Sequence, residues 1–319
     1  TQVHFRAVNN DLRPSDDEIP SAAETFRTGW VFLIPIFGIV AALIAGYSPT
    51  FVAGIGVLGA VVASSLLKAT RLSPWQIVEG LGETTLRILP VAGACAAAGL
   101  VIGGLSMTGL GMKAANVILV LSNSDPIITL IIAAVVTIIL GLGMPTPSAY
   151  ILAAVLVGPA LAKLGYPVLQ SHLFLLYYAV LSALTPPIAV AALAAAAIAD
   201  EDPFKIAFSA VRLAVVGFLL PFVFVWNPGL LLLAGIEANI LAVVGGVVAT
   251  VAIAIAVEAT YGAKASTIER LALVAGAVAA ITPQSAISLA GTAFLLAMLI
   301  RYSILLKRNG EHHVVNDAK

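Results

Sequence analysis

The chain has 319 residues, of which 61% are hydrophobic and only 10% are charged. An ordinary soluble domain contains about 45–50% apolar residues, so this composition predicts an integral membrane protein. The 16 basic residues balance the 16 acidic ones, and no positive electrostatic surface indicates a nucleic-acid partner.

The first part of the chain predicts a polar segment followed by membrane spans. Residues 1–20 are polar and are expected to form a loop or tail, and the motif SAAE at residues 21–24 has the spacing of a helix capping box. Apolar runs then predict spans over about residues 28–47 and 51–67. Within the second span, the motif GIGVLG matches a dinucleotide-binding pattern, but its apolar setting favours close helix packing instead.

A third span is expected to begin outside the hydrocarbon region. The motif SPWQ at residues 73–76 predicts a helix start with proline in the first turn. The residues that follow are moderately amphipathic, which is typical of an interfacial helix, and this helix is expected to merge near Leu89 into a span that ends at about Met107. Cys95, among small residues in this span, is interpreted as a small buried hydrophobic residue.

The middle of the chain predicts a re-entrant hairpin. Residues 109–125 are too interrupted to span and are expected to lie along the membrane surface. Two apolar halves, residues 126–140 and 148–163, are separated by the sequence GLGMPTP. Each half has about 16 residues, or about 24 Å as a helix, which is slightly short for a crossing. A hairpin over residues 126–163, with its tip inside the membrane, is therefore expected.

A broken helix is expected next, over residues 172–199. Pro186 and Pro187 cannot donate hydrogen bonds, so the carbonyls of Ser182 and Ala183 should lose their helical partners, and Thr185 should be extended. Interrupted backbone at membrane depth persists only where protein or a water-filled cavity satisfies its polar groups. The amides of residues 188–190 should then begin a second half-helix.

The hairpin tip repeats this arrangement. Pro145 and Pro147 should free the carbonyls of two glycines, while new amides and hydroxyls begin the next half-helix. Carbonyls and hydroxyls suit a cation, helix N-termini suit an anion, and secondary transporters combine both near the bilayer midplane. The predicted ion-binding residues are Gly141, Gly143, Thr146, Ser182, Ala183 and Thr185. The predicted substrate-binding residues are Ser148, Ala149, Pro187 and Ile188.

The rest of the chain predicts further spans and an orientation. After the cap signal at Asp202, spans are expected over residues 204–226 and 238–257, whereas residues 271–281 and 285–300 form either a crossing pair or a hairpin dipping into one leaflet.

The basic residues predict the orientation of the chain in the membrane. Most of them fall on one side, predicted to be cytoplasmic, with Lys113 and Lys163 as exceptions. Arg212 and Glu237, near span ends, are interpreted as snorkelling, and His172 as interfacial or capping rather than metal-binding.

The blocks GMPTPSAY and LTPPIA resemble a known transporter family. They lie within LGLGMPTPSAYILAAVLVGPALAKLG and HLFLLYYAVLSALTPPIAVAALAAAAIADEDPFK, and GFLLPFVFVWNPGLLL follows. Together these segments resemble the C-terminal half of the large membrane subunit of tripartite ATP-independent periplasmic (TRAP) transporters, specifically the fused permease branch. The resemblance covers about residues 20–235. Residues 236–305 resemble the C-terminal membrane extension of that branch, and residues 306–319 form a polar tail.

This resemblance implies sodium-driven, elevator-type import of a small organic acid across the bacterial inner membrane. It also implies delivery by a periplasmic solute-binding protein, and an upstream half of the same permease, with the first inverted repeat, before Thr1. Unfused subunits often carry an aspartate in the hairpin tip, where this chain has Pro145. A sodium site here would therefore depend on backbone carbonyls and hydroxyls, which leaves sodium or proton coupling open.

The predicted fold class is an all-α polytopic membrane protein with one hairpin and one broken helix, plus a C-terminal helical extension. The prediction includes no enzymatic activity and no cofactor apart from Na⁺ as the coupling ion. Two other functions stay open, a helical scaffold or assembly module and an intramembrane enzyme. An enzyme would need an acid pair, a Ser/His pair or a metal cluster at depth, and the apolar spans contain none of these in their sequence.

Overall fold

A computed structural model describes residues 21–66, 70–258 and 265–316. The described part of the chain contains helices and no strand. In chain order the α-helices are α1 (Ala22–Gly29), α2 (Leu33–Ile44), α3 (Pro49–Leu66), α4 (Pro74–Thr108), α5 (Leu110–Leu121), α6 (Pro126–Gly141), α7 (Thr146–Leu156), α8 (Gly158–Lys163), α9 (Val168–Leu181), α10 (Val190–Ala199), α11 (Pro203–Leu213), α12 (Val215–Trp226), α13 (Ile236–Glu258), α14 (Thr267–Ala280) and α15 (Ser285–Asn316). Short 3₁₀-helices cover Trp30–Phe32, Ser182–Leu184 and Pro228–Leu231.

The predicted fold class is confirmed. Among the described residues, five helical stretches are long and apolar enough to cross a membrane. They are Pro49–Leu66, Pro74–Thr108, Pro203–Trp226, Ile236–Glu258 and Ser285–Tyr302. The two halves of the hairpin, α6 and α7, belong to the shorter apolar helices, so their re-entrance stays a prediction.

Local signals placed several helix ends correctly. Ser73 and Gln76 cap α4 reciprocally, because the Gln76 amide donates to Ser73 Oγ at 3.2 Å and the Ser73 amide donates to Gln76 Oε1 at 2.8 Å. The predicted interfacial helix and third span form the single 35-residue helix α4. Asp202 caps α11 through the Lys205 amide at 2.9 Å.

One predicted boundary was wrong, and one predicted span contains two helices. The helix expected to begin at residue 172 begins at Val168, because Pro167 ends the preceding turn and leads directly into it. The span expected over residues 204–226 is confirmed as the apolar stretch Pro203–Trp226, which contains two helices that meet at Ala214.

The described chain divides into two compact units within α4, between Gly93 and Ala94. In the N-terminal unit, α2 packs closely on α3. A Cβ atom added at Gly59 would lie 2.9 Å from Pro35 Cα, and one added at Gly56 would lie 2.9 Å from Ile39 Cδ1. The expectation that GIGVLG serves close helix packing is therefore confirmed.

In the C-terminal unit, α9 lies at the centre of the main core. Phe174 of α9 is fully buried and meets Phe222 of α12 edge to face, with ring centroids 5.4 Å apart. Tyr178 donates its hydroxyl to the Phe218 carbonyl at 2.6 Å, and Gln170 donates to the Phe224 carbonyl at 3.3 Å. These bonds between α9 and α12 hold the segment that precedes the double proline.

The last three helices form a second apolar cluster that lies against the end of α12. Asn227, directly after α12, donates to the carbonyls of Ile281 and Thr282 at 3.1 and 3.4 Å. At the C-terminal end of α13, the buried Glu258 forms an ion pair with Arg212 of α11 at 3.3 Å. The interpretation of Arg212 as snorkelling was incomplete, because it did not include the pairing with Glu258, which lies 46 positions further along the chain.

Helix α13 depends on glycine for its contact with α14. A Cβ atom at Gly245 would lie 2.5 Å from the Ala280 carbonyl oxygen, a backbone atom that cannot rotate away. We expect Gly245→Ala to reduce the free energy of unfolding by about 1–3 kcal/mol, the usual cost of overpacking. Thermal unfolding of the detergent-purified protein measures this change.

The matched control is Gly54→Ala, because Gly54 is helical and has no atom within 4 Å of an added Cβ. Alanine favours helix over glycine by up to about 1 kcal/mol, so the control should unfold at the same or a higher temperature. Equal melting temperatures for the two variants would contradict the close approach of α13 and α14.

Candidate solute and ion site

The helix with the double proline is interrupted, as predicted. α9 ends at Leu181, a 3₁₀ turn covers Ser182–Leu184, and Thr185 is extended, with φ −90° and ψ 128°. The Pro186–Pro187 peptide bond is cis. Ala189 has a positive φ of 43° and directly precedes α10. The backbone therefore changes direction within five residues between two apolar helices.

The backbone bonds of this break differ from the prediction in two places. The Thr185 amide donates to the Ser182 carbonyl at 3.2 Å, and the Ala189 amide donates to the Thr185 carbonyl at 3.1 Å. The prediction of a free Ser182 carbonyl was wrong because the 3₁₀ turn supplies a donor three residues on. The amide of Ala189 is likewise not free. No hydrogen bond to the Ala183 carbonyl is seen within the described residues.

The hydroxyls of Ser182 and Thr185, which lie at the break, both donate to carbonyls of α9. Ser182 Oγ donates to the Ala179 carbonyl at 2.7 Å, and Thr185 Oγ1 donates to the Leu181 carbonyl at 2.9 Å. A hydroxyl has one proton and two lone pairs. With the proton directed to backbone, both oxygens keep lone pairs that can face a cation.

The hairpin tip is a turn that also satisfies part of its own backbone. The Met144 amide donates to the Gly141 carbonyl at 3.2 Å, so this carbonyl is not free as predicted. Gly143 has φ +75°, a conformation that L side chains rarely adopt. α7 begins at Thr146, two residues earlier than predicted, and the Ala149 amide therefore donates within the helix to Pro145 at 3.1 Å.

The structure brings the two breaks into contact. A Cβ atom added at Gly141 would collide with Ser182 Oγ and lie 2.8 Å from Ser182 Cβ. The same atom would lie 3.4 Å from Ala149 Cβ, and one added at Gly143 would lie 3.3 Å from Ile188 Cδ1. The hairpin tip therefore lies directly against the broken helix.

The predicted site residues fall into three groups by burial. Four are buried, three are half-buried and three are exposed. The buried ones are Gly141, Ser148, Ala149 and Ser182; the half-buried ones are Thr146, Ala183 and Thr185; the exposed ones are Gly143, Pro187 and Ile188. Pro187 and Ile188 line an apolar groove of about 150 Å³ with residues of α10 and α11, including Leu193 and Phe204. Ser148 and Ala149 do not line that groove.

Sequence reasoning missed the contact of Cys95 with this region. Ser148 Oγ lies 3.7 Å from Cys95 Sγ, within hydrogen-bond distance for sulfur. Cys95 is half-buried rather than buried as predicted. The two residues are 53 positions apart, and neither has a local pattern that would indicate the pairing.

The family model of the tripartite ATP-independent periplasmic transporter, DctM component, matches residues 1–239. The chain belongs to the DctM family. This match confirms the resemblance drawn from GMPTPSAY and LTPPIA, and it also covers the residues before residue 20, to which that resemblance did not extend. Comparison with curated proteins and with solved structures gave no significant match.

DctM is the large membrane component of an inner-membrane transporter, and it works in general with a solute-binding protein and a small membrane component. Membership therefore favours transport over catalysis. The matched residues contain both breaks and end near the start of α13. Helices α14 and α15 lie beyond the match.

The contact between the two breaks predicts a coupling between Gly141 and Ser182. Gly141→Ala should lower the melting temperature, because the new methyl group collides with the Ser182 side chain. Ser182→Gly removes the two Ser182 atoms that the new methyl group would meet, so the double variant should recover part of the loss. In a double-mutant cycle of thermal stability, contacting residues show coupling of about 0.5–3 kcal/mol. Strictly additive effects would contradict the contact.

Proposed function

We propose that this DctM component imports a small organic acid together with Na⁺. The solute is delivered by a periplasmic solute-binding protein. The contact between the hairpin tip and the broken helix supports this proposal, because Gly141 lies beside Ser182 and Gly143 beside Ile188, and both segments contain candidate ligands for a cation and an anion.

The cation ligands are neutral oxygens. Hard cations take carbonyl and hydroxyl oxygen ligands. Here the Ala183 carbonyl and the hydroxyls of Ser182 and Thr185 lie on the broken helix, and Thr146 lies at the start of α7. These four residues fit a sodium ion by donor type. The carbonyl of Gly143, on the tip, is the fifth candidate.

The two breaks contain no charged side chain, and this supplies a reason why the binding of Na⁺ and the binding of the solute would be coupled. The segments 141–149 and 182–190 read GLGMPTPSA and SALTPPIAV and contain no ionisable side chain. A lone cation in such an apolar setting is costly, and so is a lone carboxylate. Bound together, each ion offsets the other, so each should raise the affinity of the site for its partner. This mutual dependence is what sodium symport requires.

The anion is assigned to the starts of α7 and α10. Helix N-termini carry partial positive charge and free amides, which favour a carboxylate. Ser148 lies in the first turn of α7 with its hydroxyl buried. The apolar groove beside Pro187 and Ile188 can accept the carbon skeleton of the solute.

The packing of α9 favours an elevator-type movement. The hairpin and the broken helix contact each other at their interruptions. The hairpin helices also pack in one core with α9, which is the first half of the broken helix. Such a packed body moves as a unit more readily than it deforms, because close-packed cores resist internal strain. The site would then cross the membrane with the body that carries it.

Uptake into liposomes tests the proposal. The permease, reconstituted with its solute-binding protein, should accumulate the organic acid when an inward sodium gradient is imposed. Thr185→Val and Ser148→Ala should reduce sodium-driven uptake about tenfold or more, because each removes a polar ligand, while melting temperatures stay close to the parent value. Uptake that follows a proton gradient and does not depend on sodium would contradict the assignment of Na⁺ as the coupling ion.

The matched control is Thr108→Val, at the end of α4. Its hydroxyl also donates to backbone carbonyls of its own helix but lies outside both breaks. Uptake by this variant should equal that of the parent protein. Parental uptake in both Thr185→Val and Ser148→Ala would refute their assignment to the site.

A further inference from the structure

The extension, formed by α13, α14 and α15, lies almost wholly beyond the residues that the DctM model matches. Its helices pack around a core of their own, in which Ile255, Leu273 and Leu295 are fully buried. Family membership therefore assigns the extension no part in transport. Its contacts with α11 and α12 indicate what it does.

The first junction joins the turn between α14 and α15 to the end of α12. Asn227 is only 7% exposed, and its side-chain amide donates to the carbonyls of Ile281 and Thr282 at 3.1 and 3.4 Å. Its Oδ1 accepts from the Gly229 amide at 3.1 Å, which fixes the orientation of the side chain. One buried side chain therefore binds both turns, and separating them would leave its polar atoms unpaired.

Glycines bring the backbone of α13 close to the turn after α12. A Cβ atom added at Gly229 would lie 2.9 Å from the Ala238 carbonyl oxygen and 3.0 Å from Ala242 Cβ. One added at Gly246 would lie 2.8 Å from Leu230 Cδ1. Contacts this short leave no lipid or mobile side chain between the two surfaces, so sliding would require the packing to open.

The second junction lies at the C-terminal end of α13. The Glu258 side chain is 3% exposed and pairs with Arg212 of α11 at 3.3 Å, and the same guanidinium group donates to the Val257 carbonyl at 3.3 Å. Separation would leave a buried carboxylate without its counter-charge, which is strongly destabilising. Ala242, at the first junction, lies about 24 Å from Glu258 along α13. Two junctions at this separation oppose both rocking and sliding of α13 against α11 and α12.

Helix α12 also binds the first half of the broken helix. Tyr178 and Gln170 of α9 donate to the Phe218 and Phe224 carbonyls at 2.6 and 3.3 Å. Within the described chain, both breaks, α12 and the extension belong to the same compact unit. Helix α12 therefore connects the extension to the helix that carries the double proline.

We infer that the extension forms one rigid body with α12 and the broken helix, and that import carries this body as a unit. A fixed extension would have to slide along α12 in each cycle. Sliding would break the Asn227 hydrogen bonds and the ion pair of Glu258, whereas movement as one body preserves them. The movement rests on the proposed import function, but the rigid body is a property of the fold alone.

Site-directed spin labelling of the intact permease in liposomes tests the inference. The labels are attached to a ketone-bearing amino acid, so Cys95 stays unchanged. They replace the exposed residues Thr267, at the start of α14, and Glu201, between α10 and α11. Pulsed EPR gives the distance between the labels, and relaxation by oxygen and by a nickel chelate gives the depth of each label in the membrane. The two conditions are choline chloride alone and sodium chloride with the acid-loaded solute-binding protein.

We expect the distance between Thr267 and Glu201 to be the same in both conditions, while both labels shift in depth in the same direction. The control pair is Thr267 with Ser285, which lies within the extension and gives the width of a distance distribution inside one rigid element. A changed distance between Thr267 and Glu201 would overturn the inference. So would a constant depth at Thr267 while Glu201 moves, or a constant depth at both positions.

A covalent bridge across the first junction provides a second readout. Leu230→Cys combined with Gly246→Cys places two thiols there, and the first substitution removes the methyl group that the second would otherwise meet. After bridging by a short bifunctional methanethiosulfonate, uptake should equal that of the unbridged double variant. Each single variant, treated with the same reagent, controls for reaction at Cys95. A loss of uptake on bridging that reduction reverses would contradict the inference.

Failure of this inference can be distinguished from failure of the proposed function. If sodium drives uptake and the distance between Thr267 and Glu201 changes, the rigid body is refuted and the import function stands. If that distance stays constant and sodium drives no uptake, the rigid body stands, and both the import function and the movement of the extension are refuted.

Discussion

The structure depends on one constraint: interrupted backbone within apolar helices must find partners inside the protein. The chain meets this constraint partly through local turns, in which the Thr185 amide bonds to Ser182 and the Met144 amide bonds to Gly141. The two interruptions also lie directly against each other, with Gly141 beside the Ser182 side chain, although the structure shows no hydrogen bond between the described residues of the two breaks. Since only glycine leaves room for this approach, the hairpin tip and the broken helix support each other.

The same constraint explains how a site without charged side chains could couple two ions. Local turns use some carbonyls and amides, but the hydroxyls of Ser182 and Thr185 keep their lone pairs, and the half-helices keep their N-termini. A cation and an anion that enter together compensate each other, whereas either ion alone would lack a counter-charge. The anchoring of α9 on α12, through Tyr178 and Gln170, then keeps the donors in place.

Much of this fold could be predicted from the sequence because its signals are local. Hydropathy indicated the membrane class, prolines located both breaks, and caps such as Ser73 and Asp202 located helix starts. The hydrogen-bond partners within the breaks could not be predicted in full, since a 3₁₀ turn at Ser182 redistributes donors that proline rules assign to a regular helix. Long-range pairs were missed for another reason. Arg212 with Glu258 and Ser148 with Cys95 are 46 and 53 positions apart, and no periodic pattern links such residues.

The most direct measurement of the central claim is the linkage between sodium and solute in the purified permease. Calorimetric titration with the organic acid carried by its solute-binding protein, with and without Na⁺, gives the coupling at equilibrium. The account predicts that sodium raises the affinity for the acid at least about fivefold, and that the acid raises the affinity for sodium by the same factor. Equal affinity for the acid in sodium and in a sodium-free buffer would show that the joined breaks do not form a shared site.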